Sequence, residues 1–193
     1  MTAEKVKDLR VEKTRRAIHR AFEELLMEKD YDRITVKELC EHAMINRKTF
    51  YSHYAYLDDL MEEYISEIAE RYIRDVGPSE GFEDLPNRIR RFFLYLPKVP
   101  PLAEKLVMSR RGLHFFQRVG DSVSRQAPEE SEGIEQVNES TRSIIMDYLN
   151  NACFTIYRSW ALDGKKLTTE ELSELAYTLI CGGMDDLLGY INR

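Results

Sequence analysis

The sequence is poor in cysteine, glycine and proline, and each shortage excludes a class of protein. Its 193 residues include only nine glycines and six prolines, which excludes collagen-like and low-complexity chains. The three cysteines, Cys40, Cys153 and Cys181, form no C-x-x-C pair and have no histidine pair nearby, so a disulfide framework and a zinc site are disfavoured. We expect no metal, no cofactor and small buried thiols in a reducing cytosol.

Long apolar runs are also missing. No stretch approaches the roughly 20 apolar residues that a membrane span requires. The N-terminal segment MTAEKVKDLR lacks the apolar core of a signal peptide. We therefore expect a cytoplasmic protein that makes no contact with a membrane.

The net charge of −6 conceals an uneven distribution along the chain. Residues 1–20 carry seven basic and three acidic side chains. Residues 1–54 hold 12 basic and 10 acidic side chains, whereas residues 55–193 hold 16 and 24. A basic first segment on an acidic remainder is typical of a protein whose one end meets a polyanion. A solvated, charged helix start is the alternative explanation at this point.

Hydrophobic periodicity predicts helices almost throughout, and therefore an all-α fold. Apolar residues from Ala17 to Leu26 fall on one helical stripe, and Thr35 to Glu38 has the pattern of a capping box at the start of a short helix. Asn46 is a suitable N-cap for the next helix. The predicted helices after it cover residues 47–54, 58–76, 85–96, 102–110, 113–119, 140–162 and 168–191, with a solvated loop over residues 121–140.

Two short helices separated by a turn of a few residues, after one longer helix, predict a helix-turn-helix unit. In a helical projection of residues 47–54, Phe50 and Tyr54 lie on the side that packs against the first two helices. Lys48, Tyr51 and Ser52 lie on the other side or its flanks. This free face is polar, basic and aromatic, which suits the phosphates and base edges of a DNA groove.

The run from Thr35 to Tyr54, followed by Asp58-Asp59-Leu60-Met61, resembles the DNA-binding domain of the TetR family of bacterial transcriptional regulators. The segment Thr49-Phe50-Tyr51-x-His53-Tyr54 is its most specific part. The resemblance covers about residues 10–70, with the helix-turn-helix at about 34–54. It implies a homodimer, a palindromic operator, and a larger helical domain over 71–193 that forms the dimer and usually holds an effector pocket.

Three residues depart from the family pattern. Met44 stands where the family usually has glycine in the turn, Lys48 replaces a common small residue, and Leu57 stands where many members have lysine. We predict that the operator is contacted by these residues: Thr35, Lys37, Asn46, Arg47, Lys48, Thr49, Tyr51, Ser52 and His53. For Arg47 and Lys48 the alternative is an ordinary solvated helix start, and for Tyr51 and His53 it is an exposed aromatic residue and a surface histidine.

Residues 140–162 carry apolar side chains on two sides of one predicted helix, which implies burial on both sides. The pair Gly182-Gly183 is costly inside a helix unless another backbone comes close. We therefore predict a four-helix dimer interface that includes Ile145, Leu149, Ile156, Leu179, Gly182, Gly183 and Leu187. The predicted pocket, for a small hydrophobic or aromatic effector, includes Phe92, Phe93, Phe116, Met146, Cys153 and Tyr157, and core packing is the alternative for each.

The sequence as a whole favours a dimeric DNA-binding regulator, in the role of a repressor that a small molecule releases. Two alternatives stay open. One is a helical adaptor or co-regulator that uses the helix-turn-helix to contact proteins. The other is a small helical enzyme, which we do not expect, because the chain has no G-x-S-x-G, no H-E-x-x-H, no P-loop and no glycine-rich dinucleotide turn.

Overall fold

The computed structural model describes residues 3–77, 85–126 and 138–182, and its side-chain description leaves out residues 3–8, 85, 124–126, 139 and 142. Within these ranges every regular element is helical, so the predicted all-α class is confirmed. The chain divides into two compact units, residues 1–65 and 66–193. In the described ranges, no helix is both long and apolar enough to cross a membrane.

The first unit is built on one long helix and two short ones. Ile18, Phe22 and Leu25 of the long helix are at most 1% exposed, as the predicted stripe requires. They share the interior with residues such as Leu39 and Phe50, both fully buried. The helices of this unit are α1 (Ala3–Glu28), α2 (Val36–His42), α3 (Arg47–Tyr51) and the first residues of α4 (Leu57–Val76).

Two side-chain caps set where α2 and α3 begin, as the sequence predicted. The Glu38 amide donates to Thr35 Oγ1 at 3.2 Å, and the Thr49 amide donates to Asn46 Oδ1 at 2.8 Å. The predicted capping box at Thr35 is only half formed, because the Glu38 carboxylate accepts a hydrogen bond from the Lys29 ammonium instead. This contact ties α2 to the chain segment that follows α1.

The second helix of the motif is shorter than predicted. We expected it to cover residues 47–54, but α3 ends at Tyr51. Its last turn tightens, since the His53 amide donates to the carbonyl of Phe50, three residues back, at 2.9 Å. The Ser52 hydroxyl also donates to the Thr49 carbonyl at 2.6 Å, which offers the backbone a local alternative to helix.

In the ranges that the structure describes, the second unit contains the rest of α4 and five further α-helices. They are α5 (Leu85–Tyr95), α6 (Pro101–Met108), α7 (Gly112–Gln126), α8 (Glu139–Leu162) and α9 (Thr169–Cys181). Between α5 and α6 lies one 3-10 turn, Leu96–Lys98. The predicted capping box of α9 is present: the Glu171 amide donates to Thr168 Oγ1 at 3.2 Å, and the Thr168 amide donates to Glu171 Oε2 at 2.9 Å.

One helix in this unit extends further than predicted, and the predicted end of another cannot be compared. Helix α7 continues to Gln126, so residues 121–126 are helical rather than part of the predicted loop; its Ser122 is buried, and Val123 lines a cavity. Helix α9 is described to Cys181, with Gly182 as its C-cap, and its predicted continuation to residue 191 lies outside the described residues. Gly183 and Leu187, both predicted at the dimer interface, lie outside the described residues.

Candidate nucleic-acid interface

Helix α3 has one buried and one exposed side. Phe50 is fully buried and Tyr54, just beyond the helix, is 8% exposed. Arg47 and Lys48 are exposed, and Tyr51 is 55% exposed. The helical projection therefore placed these side chains on the correct sides. A cationic and aromatic surface results, with its opposite side fixed in the interior of the first unit.

Several of the predicted contact residues use their polar side-chain groups in hydrogen bonds within the helix-turn-helix itself. Asn46 Oδ1 accepts from the Thr49 amide and also from the Thr49 hydroxyl, at 3.1 Å for the latter. Thr35 and Ser52 likewise bond to backbone groups of the motif. These four residues set the ends of α2 and α3, so their first role is to hold the motif in shape.

The remaining predicted residues present groups that are less committed. The side chains of Arg47 and Lys48 form no hydrogen bond or ion pair with any residue in the described ranges. Lys37 lies 3.9 Å from a carboxylate oxygen of Glu41 on its own helix, a long and exposed pairing. His53 is half-buried, and its ring lies 6.3 Å from that of Tyr54. Arg47 and Lys48 are therefore the cations most available to a phosphate or a base edge.

Three basic side chains of α1 form ion pairs within the first unit. Arg16 pairs with Glu12 and Arg20 pairs with Glu24, in each case one helical turn away. Arg15 pairs with Glu63, from α4. Exposed pairs of this kind are weak in water, so the cations can exchange a carboxylate for a phosphate at little cost. The excess of basic residues seen in the sequence thus overstates the free positive charge on α1.

A polar cluster, which sequence patterns did not reveal, fastens the end of the motif. The Tyr54 hydroxyl donates to Glu63 Oε2 at 2.6 Å, and His19 Nε2 lies 3.0 Å from the same hydroxyl. Glu63 also pairs with Arg15. His19 lies 35 residues from Tyr54 in the sequence, and Glu63 lies 9 residues from it. Only the fold therefore brings the three side chains together. The cluster joins the segment after α3 to α1 and to the start of α4.

An internal cavity of about 160 Å³ lies in the second unit. Five of the six residues predicted for the effector pocket line it, namely Phe92, Phe116, Met146, Cys153 and Tyr157. The sixth, Phe93, is fully buried and packs beside Phe92 outside the lining, so its place in a pocket was wrongly expected. Neighbouring residues on α5 face different sides of the helix, and the sequence did not distinguish which one faces the space.

The cavity is apolar but contains a few polar groups that we did not predict. Arg88, Asn150 and Tyr72 are among its walls. Burial raises the pKa of Tyr72 to about 12, and it raises the pKa of the Cys153 thiol to about 12. Burial also raises the pKa of Tyr157 well above the ordinary phenol value. The three groups are therefore neutral at physiological pH, and Cys153 is a poor thiolate nucleophile.

The predicted dimer residues are placed in two different environments. Ile145 and Leu149 are each 4% exposed within their own chain, so a place at an interface was wrongly expected for them. Ile156 is half-buried, Gly182 is exposed and Leu179 is 59% exposed. The residues of α8 that are open to solvent lie one position earlier on the helix: Ile144 at 70% and Tyr148 at 55%. The hydrophobic periodicity correctly indicated two apolar sides of α8. It assigned Ile145 and Leu149 to the dimer, whereas these two residues are buried within their own chain.

Comparison of the sequence with known proteins gives two findings. No protein-family model matches the chain. A segment of 63 residues, 32% of the chain, is 43% identical to the uncharacterised HTH-type transcriptional regulator YxbF of Bacillus subtilis strain 168. That match spans 17% of the relative's own length.

Two solved structures resemble the whole chain. The TetR transcriptional regulator from Streptococcus agalactiae 2603V has a TM-score of 0.68 and 22% identity, with 92% of this chain and 98% of that chain covered. A TetR-family transcriptional regulator from Streptomyces coelicolor has a TM-score of 0.53 and 16% identity, with 91% and 85% covered. The resemblance that the helix-turn-helix segment indicated is thus confirmed at the level of the fold: the chain has the fold of the TetR-family transcriptional regulators.

Proposed function

We propose that this protein is a TetR-type transcriptional regulator that binds a palindromic DNA operator as a homodimer in the cytoplasm and represses the genes beside it. The observation that carries the proposal is α3, whose exposed side presents Arg47, Lys48 and Tyr51 while Phe50 anchors its other side. Two side-chain caps and the Tyr54–Glu63 contact hold this surface in place. A rigid cationic helix face of this size fits a major groove.

A second copy of the chain supplies the symmetry that an operator of two half-sites needs. In a dimer, the two α3 helices read successive major grooves when they lie about 34–36 Å apart. The surface that we assign to the dimer consists of exposed apolar residues on α8 and α9: Ile144, Tyr148, Leu175 and Leu179. Apolar side chains of this size, at least 44% exposed on two helices of one unit, are expected to be covered by a partner.

The cavity in the second unit is our candidate for effector binding. A ligand changes operator affinity only if it binds one conformation of the dimer better than the other. A space lined by α4, α5, α6, α7 and α8 touches five helices at once, so an occupant can favour one arrangement of them. We propose that the ligand-bound arrangement has the lower affinity for the operator.

The test of DNA binding uses the whole protein and a fluorescent operator chosen by repeated selection from random duplexes. We expect specific binding whose affinity falls as salt rises, because phosphate contacts release counterions. Replacing Lys48 by alanine should weaken binding and lower the slope of log affinity against log salt by about 1. Lys98→Ala is the matched control, since Lys98 is also exposed but lies in the second unit.

The same measurement separates the regulator from the adaptor. If no duplex binds at low salt, or if Lys48→Ala and Lys98→Ala give identical slopes, α3 is not a DNA-reading helix. The helix-turn-helix would then be a surface for protein contacts, and the proposal would fail.

A further inference from the structure

The cavity has one cation in its wall and no anion among its described lining residues. Arg88 is the charged residue there, and it is half-buried. It makes no hydrogen bond or ion pair with the described residues, in contrast to its neighbours on α5. Arg90 bonds to Glu174 at 3.2 Å, and Arg91 bonds to the Val76 carbonyl at 3.4 Å. No described residue supplies a counter-ion to this guanidinium, and a cation turned towards an apolar space attracts an anion.

A second polar group in the same wall also lacks a partner. Tyr157 is 2% exposed, and its hydroxyl has no hydrogen-bond partner among the described residues. Buried hydroxyl groups are nearly always hydrogen-bonded, so an orphaned one beside a cavity indicates a missing acceptor or donor. Tyr157 is thus a second, independent feature that points to an occupant of this space.

The two groups lie at different levels of the cavity. The Arg88 charge acts on the Cys153 thiol, and the Phe92 ring lies edge-on to the Tyr157 ring at 6.4 Å. Arg88 precedes Phe92 by one turn of α5, and Cys153 precedes Tyr157 by one turn of α8. The Cα atoms of the two levels are therefore offset by about 6 Å along each helix.

Aromatic side chains form the cavity wall beside these two levels. Phe92 packs edge-on against Phe116 at 5.7 Å and lies 6.4 Å from Tyr72. The volume of about 160 Å³ is close to that of an apolar protein cavity of about 150 Å³ that holds benzene. One aromatic ring fills such a space, and it packs on neighbouring rings with offset or edge-on geometry.

Building on the effector site proposed above, we propose that the ligand is a small aromatic carboxylate with a hydroxyl group opposite its carboxylate. The carboxylate pairs with the Arg88 guanidinium, the ring packs against the contacting pair Phe92 and Phe116, and the far hydroxyl bonds to the Tyr157 hydroxyl. A ring substituted at opposite positions separates its polar ends by about one helical turn, which is the spacing between the two levels.

The experiment compares three probes with the full-length protein: 4-hydroxybenzoate, benzoate and the neutral 4-hydroxybenzamide. Calorimetric titration should give 4-hydroxybenzoate the highest affinity, and it should raise the melting temperature most. Arg88→Met should weaken both acids about tenfold or more and leave the amide unchanged, because only the charge-assisted bond is lost. Tyr157→Phe should abolish the preference for 4-hydroxybenzoate over benzoate. Arg90→Met is the control, since Arg90 lies on the same helix but outside the described lining.

The outcomes distinguish this ligand class from the proposed function. If the amide binds the unaltered protein as tightly as 4-hydroxybenzoate does, or if none of the probes binds, the aromatic carboxylate is wrong. This comparison needs no variant, so it stands even if Arg88→Met does not fold. Operator binding is measured in the absence of any probe: if it is retained while the acids fail, only the ligand class is overturned, and if it is absent, the regulator itself is.

Discussion

Met44 occupies a left-handed backbone conformation in the turn between α2 and α3, where its φ is 53° and its side chain is 91% exposed. A residue with a Cβ is strained in this region by about 1–2 kcal/mol, whereas glycine is not. The sequence had already marked the position, because the family usually has glycine there. The structure shows that the turn keeps the left-handed geometry with methionine in place.

Replacing Met44 by glycine should therefore stabilise the protein. Relief of strain exceeds the extra entropy that glycine gives the unfolded chain, so we expect the free energy of unfolding to rise by about 0.5–1 kcal/mol. Urea denaturation measures the change. Met44→Ala removes the same exposed side chain but retains a Cβ, and it should change stability by a few tenths of a kcal/mol at most. Equal effects of the two substitutions would show that strain is not the cause.

Cys153 should make the protein sensitive to alkali. Burial raises the pKa of this thiol from about 9 to about 12, so folding favours its protonated form. The stabilisation is complete below about pH 9 and is lost as pH rises towards 12, where the thiolate forms more readily in the unfolded chain. Within this window, Cys153→Ser should reduce the loss by up to about 1.4 kcal/mol per pH unit, one proton's worth. If the free energy of unfolding depended on pH in the same way for the two proteins, this role of Cys153 would be contradicted.

At the level of elements, the contact between Tyr54 and Glu63 fixes the end of the helix-turn-helix. Tyr54→Phe keeps the buried ring but removes the hydroxyl that donates to Glu63 at 2.6 Å and lies 3.0 Å from His19 Nε2. We expect a loss of about 1 kcal/mol in stability and weaker operator binding, because α3 is then held less firmly. Tyr56→Phe is the control, since Tyr56 is 72% exposed. Thermal melting and operator titration should separate the two variants, and equal behaviour would remove the anchoring role of Tyr54.

The starts of helices could be predicted better than their ends. Thr35, Asn46 and Thr168 indicate helix starts. Each cap needs only a side-chain oxygen that accepts a hydrogen bond from a backbone amide three residues later, so it depends on local sequence alone. The end of α3, by contrast, depends on tertiary packing and on a local hydrogen bond that competes with the helix, which no residue type indicates.

The candidate sites also contain parts that the sequence predicted and parts that it did not. A projection of one helix was enough to separate Phe50 from Lys48, because the two lie on opposite sides of α3. It was not enough to decide which apolar side of α8 meets its own chain. Arg88 was missed for a related reason: a charged residue is usually solvated, and only the packing of several helices turns this one towards a cavity.

For the whole molecule, DNA binding and assembly should be inseparable. Each copy has one α3, and a palindromic operator is read with useful affinity only when two copies are joined, because the second contact is then intramolecular. The exposed apolar residues of α8 and α9 supply the surface that we assign to this joining. A charge placed there should be buried without a partner in the dimer, at a cost large enough to dissociate it.

Leu179→Lys should accordingly give monomers by light scattering at micromolar concentration. Operator affinity should fall about 100-fold or more, although α3 is unchanged, because each half-site is then bound alone. Leu94→Lys is the matched control: Leu94 is also exposed, at 46%, but lies on α5 and is not a residue of the proposed surface, so that variant should remain dimeric. A dimeric Leu179→Lys with full operator affinity would move the interface elsewhere. A monomer that still binds the operator with full affinity would break the link between assembly and recognition.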